Sequence, residues 1–275
     1  VDKSEEVDGD KQMIKFCNLY SGSSGNSHFI SDDSTKILID AGLSGIKIEK
    51  ALKNIQENPS EIDAIILSHE HSDHSRGIGV LSRRYDIPVY ANNATINKID
   101  NLLYNIPEEN IKTFYTNEPF EINDFTILPF PVPHDAEEPV GFNIIRDYKK
   151  ITIATDIGHV SDELIHYLEK SHLILIESNH DLEMLRVGRY PWYLKQRIMS
   201  DIGHLSNDMS GKLITKLVKT GCERFILGHL SKENNFPELA YETINGILSE
   251  DNIKVGKDIE MSVALREETG IPIMV

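Results

Sequence analysis

Two hydrophobic periods take turns along the chain. Short runs that alternate or are wholly apolar have strand character, and between them lie stretches whose apolar residues recur at three and four. Residues 13–20 read as a strand, 28–31 and 36–40 as a hairpin, 63–68 as a short buried strand and 88–91 as another. The spacing predicts a helix over 44–56 with Ile46, Ile48, Ala51, Leu52 and Ile55 on its apolar face. Further helices are predicted over 77–85 and 94–103. Strands follow at 125–130, 141–146 and 150–155, then a helix over 161–169 with Ser161 as N-cap and Leu164 inward. A strand over 173–177 precedes helices over 191–199 and 206–220, the second turning Ile214, Leu217 and Val218 inward. A strand at 224–228, a helix at 237–248 and a last strand at 259–265 complete the pattern. This alternation predicts one mixed α/β domain over 13–275. Residues 1–12 hold five acids and two lysines with almost no apolar side chain, and are expected to be a disordered or appended arm.

Composition narrows the class. With 40% apolar residues in 275, the chain can bury a sizeable core. No apolar stretch approaches the ~18 residues of a membrane span. Two isolated cysteines, Cys17 and Cys222, exclude a disulfide scaffold and point to a reducing cytoplasm. A net charge of −16 argues against general electrostatic capture of nucleic acid, although a local basic patch with metal ions could still do so.

Chemistry concentrates in the 11 histidines. In Leu67-Ser68-His69-Glu70-His71-Ser72-Asp73-His74, four donors fall within six residues directly after a buried strand. Imidazole and carboxylate suit zinc, iron or manganese, and this spacing fits a turn that wraps one or two ions. His134, Asp156 and His229 each end a strand-like run, where sites gather in open α/β sheets. Elsewhere, the turn Ser21-Gly22-Ser23-Ser24-Gly25-Asn26-Ser27 could cradle a phosphate with backbone N–H groups or simply join two strands. Arg186, Arg189, Lys195 and Arg197, interleaved with Tyr190, Trp192 and Tyr193, suit nucleic acid; the alternative is a solvated segment around a buried Trp192.

The ordered set His69, His71, Asp73, His74, His134, Asp156 and His229 resembles the signature of the metallo-β-lactamase superfamily. The turn at 21–27, Glu177-Ser178-Asn179-His180-Asp181, Gly203-His204-Leu205-Ser206-Asn207 and the stretch from His229 to Asn235 narrow the resemblance to the bacterial YycJ/WalJ family. The resemblance implies an αββα sandwich, of the α+β class, with a dinuclear metal site at one edge of its two sheets. It assigns His69, His71 and His134 to one ion, Asp73, His74 and His229 to a second, and Asp156 to both. The ions would be zinc or manganese, with iron admitted by the same donors. The implied activity is 5′→3′ exonucleolytic cleavage of DNA by a metal-bridging hydroxide. RNA, or a thioester or lactone, is the alternative substrate. Only 72 residues lie between Asp156 and His229, too few for the β-CASP insertion of RNA-processing relatives. The resemblance also pairs Glu177 with His204, which would protonate the leaving oxygen; with Asp73 they make up the expected catalytic set. Ser24, Asn26, Arg186, Arg189 and Ser231 are the expected substrate contacts.

Overall fold

Strands with apolar side chains on both faces need a sheet covered twice. A computed structural model describes residues 13–275, so the arm assigned to 1–12 lies outside the described residues. In it β1 (Lys15–Tyr20), β2 (Ser27–Ser31), β3 (Lys36–Ile39), β4 (Ala64–Ile66), β5 (Val89–Ala91) and β6 (Ile111–Thr113) lie side by side in that order. A second sheet runs from β7 (Phe120–Ile122) through β8 (Phe125–Pro131), β9 (Val140–Arg146), β10 (Lys149–Ala154), β11 (Leu173–Glu177) and β12 (Arg224–Gly228) to β13 (Glu260–Val263). The chain then returns to the first sheet, where β14 (Ile273–Met274) pairs antiparallel with β1. β3 to β6 are mutually parallel, as are β10 to β13, while the remaining neighbours are antiparallel.

Side-chain alternation assigns each residue to a layer. Ile37 and Ile39 meet Phe125, Ile127, Phe142 and Ile151 between the sheets, whereas Leu38 points the other way. That outer face is covered by α1 (Gly45–Asn54) and, past the single turn of α2 (Ser72–Ser75), by α3 (Ile78–Tyr85). In the second sheet Leu173 and Leu175 face inward while Ile174 and Ile176 face outward. The result is the αββα sandwich the sequence implies.

Local signals account for most ends, and the differences have physical causes. Ser161 accepts the Leu164 N–H at 3.1 Å, the cap expected for α6 (Asp162–Leu168). The helix expected over 94–103 is broken at Ile99 into α4 (Asn93–Lys98) and α5 (Asp100–Leu103). Ile46 is 71% exposed, because it lies two residues from Ile48 and so on the far side of α1. The six-residue α7 (Leu182–Val187) and the three-residue β6 and β7 are too short to show a period. α8 (Trp192–Ile198), α9 (Asn207–Val218) and α10 (Pro237–Glu250) follow the pattern, and α6, α9 and α10 cover the second sheet. Among the described residues no helix is long and apolar enough to cross a membrane. Cys17 and Cys222 are both free and buried.

Candidate metal centre

Six strand ends converge at one edge of the sandwich. Asp40 follows β3, the 69–74 cluster follows β4, His134 follows β8, Asp156 follows β10, Glu177 ends β11 and His229 follows β12. Three of these residues turn the chain through left-handed backbone: Asp40 at φ 61°, Asp156 at φ 59° and His229 at φ 54°. Such a bend at a strand end re-aims a side chain that pleating would otherwise send into a layer, and Asp and His tolerate it better than most residues. Gly42 lets the cluster approach: a Cβ there would lie 1.6 Å from the Asp73 carbonyl oxygen.

Four overlapping donor groups form among the described residues: two match the expected sites, and the others are Asp156 with Glu177, His204 and His229, and His69 with His74 and Asp156. His69, His71 and His134 bring ring nitrogens within 4.8 Å of one another, and Asp73, His74 and His229 do the same with their ligand atoms. Asp156 lies between them. Its Oδ2 is 3.2 Å from His74 Nε2, and its Oδ1 is 3.7 Å from His134 Nε2 and 3.3 Å from His229 Nδ1. All seven residues of the sequence signature are therefore together.

Hydrogen bonds behind the rings decide which nitrogen each presents. His74 Nδ1 donates to Asp40 Oδ2 at 2.7 Å, and His134 Nδ1 to the Gly203 carbonyl at 3.2 Å. His229 Nδ1 donates to Glu177 Oε1 at 2.8 Å. Each Nε2 is thereby left as a lone pair directed into the cluster. Asp156 Oδ2 and His229 Nε2 are buried with no hydrogen-bond partner among the described residues. Asp156 Oδ2 and His74 Nε2 are close enough to share a proton, and a cation bound between them would take its place. Buried imidazole and carboxylate atoms converging in this number fit divalent metal ions, and the carboxylates behind the rings orient them.

Without ions, the surrounding carboxylates hold a second proton on two of these rings, where a bound cation would replace it. Burial disfavours a charged His74, yet Asp156, Asp40 and Asp73 outweigh it and hold the imidazole well above its ordinary value. His229 is likewise raised to about 10 against burial, by Asp156, Asp73 and Glu177. Burial pushes His69 and His134 down. Burial would raise Asp156, but His229 and His74 hold it well below the carboxylate range.

Glu177 has a wider role than the single pairing expected. Its Oε1 accepts from both His204 Nδ1 and His229 Nδ1, each at 2.8 Å, and its Oε2 accepts the backbone N–H groups of Ile157 at 2.7 Å and Leu205 at 3.1 Å. The carboxylate is fully buried. Burial alone would raise its pKa, but His204 and His229 bring it to about 2. His204 is part-exposed and lines a cavity of about 160 Å³ beside the cluster.

Expected substrate contacts divide. Asn26 is at the centre, with Nδ2 3.1 Å from His74 Nε2 and Oδ1 accepting the Gly22 N–H at 2.9 Å. Ser24 is exposed at the tip of that turn. Ser231 lines the cavity beside His204. Arg186 points away to an exposed ion pair with Glu183 at 2.7 Å, and Arg189 is exposed. Trp192 is 64% exposed, which removes the alternative of a buried tryptophan. Lys195 is not available to phosphate: it is buried, with its ammonium donating to the Arg186 and Gly188 carbonyls at 2.6 and 2.7 Å. Asp40, which the sequence did not single out, supports the centre, and Ser21 of the 21–27 turn does so in a way not expected, its Oγ accepting the His229 N–H at 2.8 Å.

Fold and donor set define a metal-dependent hydrolase of the metallo-β-lactamase fold. Residues 35–230 match the family described as the β-lactamase superfamily domain. The chain is 41% identical over 250 residues to exodeoxyribonuclease WalJ of Streptococcus pneumoniae, covering 90% of this chain and 93% of the relative. It is 39% identical over 248 residues to exodeoxyribonuclease YycJ of Bacillus anthracis, covering 90% and 94%. Within the β-lactamase superfamily, the chain belongs to the YycJ/WalJ family. A crystal structure of the metallo-β-lactamase fold protein YhfI from Bacillus subtilis superposes with a TM-score of 0.74 at 18% identity, over 96% of this chain and all of that one, which bears on the fold alone.

Proposed function

We propose that the protein is a nuclease that hydrolyses phosphodiester bonds in DNA, acting as a 5′→3′ exonuclease in the cytoplasm. His69, His71 and His134 would hold one divalent ion and Asp73, His74 and His229 a second, with Asp156 shared; zinc or manganese suits these donors. Ions bound there supply hydroxide at neutral pH and offset the charge of a phosphate. The observation that carries the proposal is His204, an imidazole beside the donor cluster that opens on a cavity. With Nδ1 committed to Glu177, the other ring nitrogen is left to face a substrate. An alkoxide leaving group needs a proton, and His204 is placed to deliver it. Glu177 orients that ring while fixing His229, so proton delivery and metal binding share one carboxylate. The likeness over nine-tenths of the chain to proteins named exodeoxyribonuclease supports DNA as the substrate. Arg189, Trp192 and Tyr193 on the exposed α7–α8 segment would meet the strand, and Arg186 can leave an exposed ion pair worth little.

The test compares the metal-loaded protein on 5′-phosphorylated single- and double-stranded DNA and on RNA, with Mn²⁺ and Zn²⁺ in parallel. Mononucleotide-sized release from DNA is expected. Preference for RNA, or hydrolysis of thioesters or lactones alone, would overturn the DNA assignment. His204→Ala should keep its full metal content and lose ~10²–10⁴-fold in turnover. Near-normal turnover in that variant would remove the proton-donor role.

A further inference from the structure

β14 ends one sheet and β13 ends the other, and the segment 264–272 crosses between them. A cavity of about 320 Å³ opens beside that crossing, within the ~300–1,000 Å³ of sites for small ligands. It is separate from the metal centre, and none of the metal donors lines it. We infer that this slot binds a neutral, flat molecule of one or two rings, mostly apolar, with an N–H or O–H donor on its edge. The inference does not depend on the nuclease reading.

The shape comes from two small residues. Alternation along β13 turns Met261 and Val263 toward the helices, so Ser262 and Ala264 face the other sheet. Phe16 of β1 and Ile273 of β14 supply the opposite wall. Packed sheets lie ~10 Å apart, a gap that large side chains from both faces normally fill. With small side chains on one face, a slot about one ring thick is left open. Ile271 at its rim is 87% exposed, although an apolar space lies beside it. An exposed isoleucine and an unfilled apolar cavity are each a cost, and one apolar occupant touching both would remove the two together.

The polar requirement comes from Asn18, which lines the slot and is only 5% exposed. Its Nδ2 donates to the Leu265 carbonyl at 3.1 Å, which fixes the orientation of the amide, and its own carbonyl accepts the Gly270 N–H at 2.8 Å. The amide oxygen, Oδ1, is buried with no hydrogen-bond partner among the described residues. Buried acceptors in native proteins are almost always satisfied, because leaving one bare forfeits its hydration. A donor from outside the chain would satisfy this one, whereas a carboxylate or an ether, which only accept, would not. Among the described residues no charged side chain lines the slot, so an ion would enter without a counter-charge.

The test titrates the metal-loaded protein by calorimetry with indole, and with indene, which has the same shape without the N–H. Saturable binding of indole is expected, with indene weaker by about 5–10-fold for the lost hydrogen bond. Ser262→Phe, at an exposed rim position, should fill the slot and weaken indole by ~10-fold or more while metal content is unchanged. Asn18→Leu should bring indole and indene to equal affinity; where that variant fails to fold, the comparison of the two probes on the unaltered protein carries the same information. No saturable binding at millimolar indole would mean that water alone occupies the slot, and overturns the inference. Indole affinity unmoved by Ser262→Phe, equal affinity for the two probes in the unaltered protein, or a preference for indole that survives Asn18→Leu overturns it as well.

Discussion

Glu177→Gln changes one oxygen to an amide and should disturb more than the His204 ring. Four N–H groups converge on this carboxylate, two from backbone and two from imidazoles. The Ile157 and Leu205 amides cannot turn round, so the glutamine oxygen must face them and its NH₂ must face both rings. His204 and His229 would then have to surrender their Nδ1 protons and carry them on Nε2. A protonated Nε2 cannot bind a metal, so His229 would be lost as a donor. Two hydrogen bonds to a charged group are worth about 1.5–3 kcal/mol each. The fall of Glu177 from its ordinary 4.5 to about 2 corresponds to roughly 3 kcal/mol, at the lower end of that sum. Urea unfolding of chelator-treated protein near neutral pH should therefore show a loss of about 3 kcal/mol. Chelator competition should show metal affinity falling ~10–100-fold or more in the Asp73, His74 and His229 group, with the His69, His71 and His134 group little changed. A variant that keeps both affinities and loses under about 0.5 kcal/mol would refute this account of the carboxylate.

Other outcomes follow from the same geometry. Asp156→Ala should deplete both ions and abolish hydrolysis, measured as metal per chain after gel filtration; two tightly held ions would contradict the shared role. Asp40→Asn should weaken the ion at His74 by ~10–100-fold, because Asp40 fixes that ring through Nδ1; unchanged chelator competition would show that the ring needs no such support. In metal-free protein, raised His74 and His229 give stability that is complete below their unfolded value of ~6.5 and is lost as pH rises toward their folded values. His28, lowered to about 3 chiefly by burial, and His180, lowered to about 4 by burial, give stability that is complete above ~6.5 and lost as pH falls. Urea stability of the chelated protein should thus peak near pH ~6.5, and a value still rising from pH 7 to 9 would overturn the assigned charges.

The candidate donors were legible because His134, Asp156 and His229 each follow an apolar run and the 69–74 cluster is dense in imidazole and carboxylate, neither of which needs tertiary information. Asp40 obeys the same rule, at the end of Ile37-Leu38-Ile39, and differs from Asp156 only in belonging to no motif. The second partner of Glu177 was not legible. It depends on the register of β11 against β12, which sets Glu177 opposite Gly228 and so brings His229 alongside. Lys195 misled for a related reason. Its neighbours in sequence are basic and aromatic, but its ammonium is used by carbonyls at the end of α7, and helix-end geometry is invisible to composition. Alternation showed a mixed α/β domain and the two-sheet sandwich came only with the family resemblance, whereas β6, β7 and β14 were too short to signal themselves and exist because a neighbouring strand offers them a ladder.

The left-handed backbone at Asp40, Asp156 and His229 limits how this centre could be re-engineered. A designer wishing to swap oxygen or nitrogen donors for thiolates, to favour a softer ion, would choose among residues by donor atom alone. Here the backbone vetoes part of that menu first. Threonine or valine at these corners would be penalised by Cβ branching, and cysteine would carry the ordinary side-chain penalty without the local hydrogen bonding that lets aspartate and asparagine visit this region. Asn at 40 or 156 and Gly at any of the three are conformationally admissible, yet neither brings a new anionic donor. A change of metal preference is therefore easier to install at His69, His71 or His134, whose backbone lies outside that region, than at Asp156.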